Sequence, residues 1–150
     1  MFDFEPLMTL VIALGELSVL GQFAQGQRRM ARVAGGHFKG PGLQGQVLPG
    51  STDWQWLRDD GTLEIDAQYL LALDGGGLIQ VTNQGLRHGS PEVLAELAAG
   101  QPVDPSRYFY RSVLRFATAE PALAHLNRSI ALAKAERRGG QAVFDVHRLR

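Results

Sequence analysis

The densest run of chemistry-bearing side chains is Asp53-Trp54-Gln55-Trp56-Leu57-Arg58. A carboxylate among indoles, an amide and a guanidinium suits acid–base work beside an apolar wall. Asp60-Gly61 follows, and Asp-Gly supplies the positive φ of a tight hairpin. A two-residue turn there sets Arg58 opposite Leu63, Trp56 opposite Ile65, Trp54 opposite Ala67 and Asp53 opposite Gln68. A four-residue loop over 74–77 then sets Tyr69 against Thr82 and Gln68 against Asn83. Two faces result. One is aromatic, with Trp54, Trp56 and Tyr69, and is expected to face inward as core or as a ligand wall. The other is a polar row of Asp53, Gln68 and Asn83, with Asp66 nearby, and is either a solvated face or a site.

Arg111 is the other candidate. On a strand it shares a face with Phe109 and Val113. A guanidinium on an apolar face needs a carboxylate partner or an anionic ligand. Other chemistries find little support. The chain has no Cys, so a thiolate nucleophile, a thiolate metal site and a disulfide framework are excluded. His37, His88, His125 and His147 are scattered, without metal-ligand spacing. Gly40-Pro41-Gly42-Leu43-Gln44-Gly45 matches G-x-G-x-x-G, yet a strand-like stretch and Pro49-Gly50 follow where a dinucleotide site needs a helix. There is no G-x-S-x-G elbow and no phosphate-binding G-x-x-x-x-G-K-[ST]. No cofactor or metal is expected. What remains is proton transfer, or binding alone.

The elements that must position these residues are mostly strands. Residues 62–73 alternate with period two, and 78–83, 107–117 and 142–149 read similarly. The apolar run 7–14 is far shorter than the about 20 residues that span a bilayer, and reads as a buried strand. No secretory signal is evident, so a cytoplasmic location is expected, with no membrane partner. One helix is expected over 91–99, with Ser90 as N-cap, Pro91 in its first turn and Gly100 at its end. Residues 119–136 divide evenly between helix by propensity and strand by alternation.

The 150 residues suit one domain. Basic and acidic side chains balance at 15 each, which argues against a nucleic-acid partner. The balance hides segmentation. Residues 17–52 hold Arg28, Arg29, Arg32 and Lys39 and no acid, whereas residues 53–104 are strongly acidic. Opposite charges along one chain can attract across strand pairs or favour a homodimer.

Residues 35–50 (GGHFKGPGLQGQVLPG), followed by Asp53-Trp54, resemble the signature of the DUF3237 family, also called UPF0311. Asp60-Gly61, Asp66-Ala67-Gln68-Tyr69, Asn83 with Gly85, Tyr108-Phe109-Tyr110-Arg111, Arg115-Phe116 and Leu126-Asn127-Arg128 extend the resemblance over nearly the whole chain. It implies an antiparallel β-barrel with few helices, and a strand over 126–134. It implies no defined activity. Two stretches depart from the pattern. Ala67-Gln68-Tyr69 stands where the family tends to A-R-Y, and Leu123-Ala124-His125-Leu126-Asn127 where it tends to Y-A-W-L-N. In the register above, the family's Arg would pair with Asp53, a charge that Gln68 cannot supply.

The expected fold is all-β, a single antiparallel barrel of eight to ten strands over 1–150, with one short α-helix near a mouth. A barrel of about eight strands is either filled by side chains or holds one small ligand. The expected function is binding of a small organic molecule in or at the mouth. Trp54 and Tyr69 would form the wall, Asn83, Arg111 and Asn127 the polar fixings, and Asp53 the base for isomerase-, cyclase- or lyase-type chemistry. The alternative is a non-catalytic binding or interaction protein whose barrel is filled.

Overall fold

The computed structural model describes residues 1–150. It contains strands β1 (Phe4–Phe23), β2 (Gly26–Gly40), β3 (Leu43–Val47), β4 (Thr52–Leu57), β5 (Leu63–Leu73) and β6 (Leu78–Gly89). Helix α1 (Pro91–Ala98) follows, then β7 (Tyr108–Thr118), β8 (Ala131–Arg138) and β9 (Gln141–Leu149). Short 3-10 segments cover Pro105–Arg107 and Pro121–Arg128. No helix is long and apolar enough to cross a membrane.

All strand pairs are antiparallel, in the order β1-β9-β8-β7-β6-β5, with β2 returning to β1. The short β3 and β4 share one position between β5 and β2. β3 pairs with residues 37–40 of β2, and β4 with residues 27–32. The sheet is therefore closed, a β-barrel with no free edge.

Alternation decides what lies inside. β5 turns Leu63, Ile65, Ala67, Tyr69 and Leu71 inward, and β6 turns Ile79, Val81 and Asn83. On β7 the inward set is Tyr108, Tyr110, Ser112, Leu114 and Phe116. Ala131, Ala133 and Ala135 of β8 leave room for the rings of Tyr110 and Phe144, which meet edge to face at 5.8 Å. Large side chains opposite small ones fill a narrow barrel. The end away from α1 is packed with Phe38, Leu71, Ile79 and Leu126, all buried.

Helix α1 lies at the other end. Ser90 Oγ accepts from the Val93 amide at 3.2 Å, and Pro91 opens the first turn. Val93 is buried, and the exposed pair Arg107–Glu96 at 2.9 Å ties the helix to the approach of β7. The ambiguous stretch 119–136 is divided. Residues Pro121–Arg128 form 3-10 helix, and alternation takes over only at Ala131. The strand implied over 126–134 thus starts later than expected. Proline at 121 and the Asn127 side chain, which binds Thr118 and Ala124, hold the preceding turn helical.

Both hairpin registers differ from expectation by one residue. Leu57 faces Leu63 and Asp53 faces Ala67, while Tyr69 faces Val81 and Gln68 faces Thr82. The reason is the same in both turns. The Gly61 amide donates to Arg58 O and the Arg58 amide to Thr62 O, with Gly61 at φ +86°. Gly76 donates to Leu73 O and Leu73 to Gly77 O, with Gly76 at φ +98°. Each is a type I turn followed by a glycine bulge, not a two-residue primed turn. A slip of one residue sends every side chain to the opposite face.

Candidate functional site

The slip rebuilds the site. Asp53 and Gln55 of β4 point into the barrel, and Trp54 and Trp56 point out. Asp53 and Asn83 both face Ala67 across their strand pairs, so they share the interior with Tyr69. Asp53 is 4% exposed, Tyr69 2% and Asn83 0%. Gln68 and Asp66 are on the solvated outer face. The expected row of Asp53, Gln68 and Asn83 therefore keeps two members and loses Gln68. A basic residue at position 68 would not face Asp53 here.

The aromatic face also separates. Tyr69 is interior, 6.4 Å from the Phe144 ring centre. Trp54 and Trp56 instead hold the Arg28 guanidinium outside the barrel, 4.8 and 4.4 Å from their ring centres. Phe23 meets Trp56 edge to face at 5.5 Å. Cation–π contact lets indoles remain half-exposed at small cost. Arg111 is outside as well. It lies 5.3 Å over the Phe109 ring and donates to Tyr110 O, with no carboxylate partner. Trp54, Trp56, Arg28 and Arg111 line an open outer groove of about 1030 Å³. Asn127 lies beyond the opposite end of β7, exposed, where it binds the Thr118 amide at 2.8 Å and carbonyl at 2.9 Å. Its position makes it a turn brace remote from the other candidates.

The open groove and the buried chemistry thus lie on opposite faces of one wall. The outer groove holds solvated charges of both signs. The interior holds polar groups that the fold has removed from water, a far more expensive arrangement. The interior cluster at the α1 end is therefore the stronger candidate.

Alternation builds this cluster from six strands. Arg29 of β2 donates to Gln55 Oε1 from Nε at 3.1 Å and Nη2 at 2.7 Å. Gln55 Nε2 donates in turn to Asp53 Oδ2 at 3.2 Å. Asp53 is thus anchored through one oxygen, and its buried Oδ1 has no partner in the protein. Asn83 Nδ2 donates to Tyr69 Oη at 3.2 Å, leaving the Tyr69 proton free to be donated. Tyr110 and Tyr108 of β7 come next, and Tyr108 Oη accepts from the Arg137 amide at 3.0 Å. Arg87 of β6 and Arg137 of β8 complete the end, each half-buried. Asn83 Oδ1, Ser112 Oγ, Arg87 Nε and Arg137 Nε are further buried atoms without partners.

Burial dominates the electrostatics. It raises the Asp53 carboxyl to about 6, against the Gln55 hydrogen bond and the pull of Arg137, Arg29 and Arg87. Burial raises the hydroxyls of Tyr69 and Tyr110, and Asp53 adds to both effects, so they are neutral donors at physiological pH. Burial also lowers the Arg87 and Arg29 guanidinium values. A carboxyl poised near neutrality beside a neutral phenol is the pairing acid–base chemistry needs.

Of the candidates chosen from sequence, Asp53, Tyr69 and Asn83 come together. Trp54 and Arg111 share the outer groove, and Asn127 stands apart. Gln55, Arg29, Arg87, Tyr110 and Arg137 were not anticipated. One signal pointed to two of them. Continuing the period from Ile79, Val81 and Asn83 puts Arg87 inside, and the period through Leu114 and Phe116 puts Tyr110 inside.

The comparisons agree with this architecture. A UPF0311 protein of Rhodopseudomonas palustris is 34% identical over 143 residues, 95% of this chain and 94% of its own length. The crystal structure of a conserved protein of unknown function from R. palustris superposes with a TM-score of 0.96 at 33% identity, covering 100% of this chain and 99% of that one. A beta-barrel like protein from Acinetobacter baumannii superposes at 0.87 with 36% identity, over 99% and 96% of the two chains. The model of the family described as "protein of unknown function (DUF3237)" matches residues 2–149, and to that family the chain belongs.

Proposed function

We propose that the chain binds a small organic molecule at the α1 end of the barrel and moves a proton on it with Asp53. The observation that carries this is the Asp53 carboxylate itself. It is buried, anchored through Oδ2 only, and leaves Oδ1 unpartnered beside Tyr69 and Asn83. A fold keeps an expensive group of this kind where chemistry uses it.

The reaction class is proton abstraction next to a carbonyl. Asp53 Oδ1 takes the proton from carbon, and the C–H electron pair moves into the carbonyl to give an enolate. The Tyr69 hydroxyl donates a hydrogen bond to the developing oxyanion. Return of the proton to the same or a neighbouring carbon regenerates the carboxylate, so no co-reactant is consumed. Isomerisation, cyclisation and elimination all begin this way.

Exchange of carbon-bound protons in D2O tests it. A panel of aryl ketones and keto acids, followed by proton NMR, is expected to lose α-proton signal faster with the protein than without. The rate should rise as pH passes about 6, where Asp53 ionises. Asp53→Asn should abolish the acceleration. An equal rate in that variant overturns the assignment of Asp53 as base.

A further inference from the structure

The proton-transfer reading leaves three guanidiniums unexplained. Arg29, Arg87 and Arg137 all face the α1 end of the barrel. Each is half-buried, and each is within electrostatic reach of the others. The ion pairs in the molecule use Arg58, Arg107, Arg138, His147, Arg148 and Arg150. None of the three is among them. Asp53 is the one carboxylate of the cluster, and it forms no ion pair with any of them. Arg29 is committed to Gln55. Arg137 spends Nη2 on Gly139 O at 3.0 Å, and its Nε has no partner. Arg87 makes no side-chain hydrogen bond, and its buried Nε is unpartnered too.

Three partly desolvated like charges that share one carboxylate are costly unless something else pairs with them. The usual partner for a planar fork of donors is a carboxylate or a phosphate, taken by two parallel hydrogen bonds. The walls between the arginines and Asp53 decide the rest of the ligand. Phe144, Tyr69 and Tyr110 form an aromatic floor, with Ala135 beside them. Such a floor suits carbon rather than a fully charged polyphosphate.

We infer that the ligand is an organic carboxylate, held by Arg87 and Arg137 through its carboxyl group, with its carbon skeleton on the aromatic floor below. This rests on the binding site proposed above and names its substrate class. It also gives Arg29 a role. Arg29 acts through Gln55 to aim Asp53, and so is a positioning residue that does not touch the ligand.

Titration calorimetry with phenylpyruvate and its methyl ester tests the inference, since the ester removes the charge and adds only one methyl group. The acid is expected to bind at least tenfold more tightly than the ester. Arg87→Gln should weaken the acid far more than the ester and so remove that preference. Arg87→Lys should restore part of it. Arg137→Gln gives an independent second reading should Arg87→Gln fold poorly, and exposed Arg115→Gln is the control. Asp53→Asn should tighten binding of the acid at pH 8, because a neighbouring negative charge is gone. Equal binding of acid and ester, both sensitive to Tyr69→Phe, overturns the carboxylate and leaves the site standing. So does a preference that survives both arginine variants. Binding of neither compound overturns both the carboxylate and the site.

Discussion

At the scale of single residues, Asp53 has the most to explain. Burial raises its carboxyl to about 6, so the folded chain holds this proton more tightly than the unfolded chain does. The stability penalty is absent below about pH 4, the ordinary carboxyl value. It grows as pH rises to about 6 and is complete above that. Asp53→Asn mimics the protonated form. The variant is expected to match the parent in urea melts at pH 4 and to exceed it by about 1–3 kcal/mol at pH 8. A difference that does not change with pH would show that the Asp53 carboxylate is not desolvated in the way described. The residue was singled out because an acid stood in an aromatic run. Its partners were not. Arg87 and Arg137 are single letters in segments of ordinary composition, and only closure of the barrel brings β6 and β8 to the same end as β4.

At the scale of elements, the existence of the strands and of α1 was readable, and their register was not. Asp60-Gly61 and Asp74-Gly75-Gly76 each suit more than one turn type, and the competing types differ by one residue. Within β7 both faces carry aromatic side chains, and in β4 the aromatic face is the outer one and the polar face the inner one, so the rule that aromatic faces turn inward misplaced β4. Trp54 and Trp56 then stand outside, satisfied by Arg28 and Phe23. The turn glycine also carries the helix. A Cβ at Gly61 would lie 2.6 Å from Leu94 Cδ1 of α1, at φ +86°. Gly100, at φ +75°, has open space around it. Both Gly→Ala changes place alanine in the left-handed region, at about 1 kcal/mol. Gly61→Ala is expected to cost up to about 1 kcal/mol more than Gly100→Ala, because the Leu94 side chain must also give way. Leu94→Ala in the same chain should recover part of that excess. Equal losses in the two glycine variants would mean that α1 does not seat on the β4–β5 turn.

At the scale of the molecule, closure is what turns ten strand pairings, short-range hairpins and long-range pairs alike, into one cooperative unit. Its seam joins the two ends of the chain. β1 pairs with β9 from Phe4↔Leu149 to Ala13↔Gln141, and the Arg150 amide donates to Asp3 O at 2.9 Å. Glu5 receives both Arg148 and Arg150 across this seam. The site depends on the seam only indirectly, since none of Asp53, Tyr69, Asn83 or Arg87 lies on β1 or β9. The hairpin of β1 and β2 is different. Residues 15–20 and 22–25 are exposed, as are Leu17, Val19, Leu20 and Phe23 among them, so its tip contributes little core. A circular permutant separates these roles. Joining Arg150 to Met1 by a short glycine linker and opening the chain between Ala24 and Gln25 keeps every strand pair but removes one turn. Loop-closure entropy changes slowly with connection length, so the rearrangement itself costs little. The permutant is expected to unfold in one cooperative transition, within several degrees of the parent, and to retain the ionisation of Asp53 near pH 6. Two separate transitions, or loss of the fold, would show that the β1–β2 hairpin turn and not the β1–β9 seam holds the barrel closed.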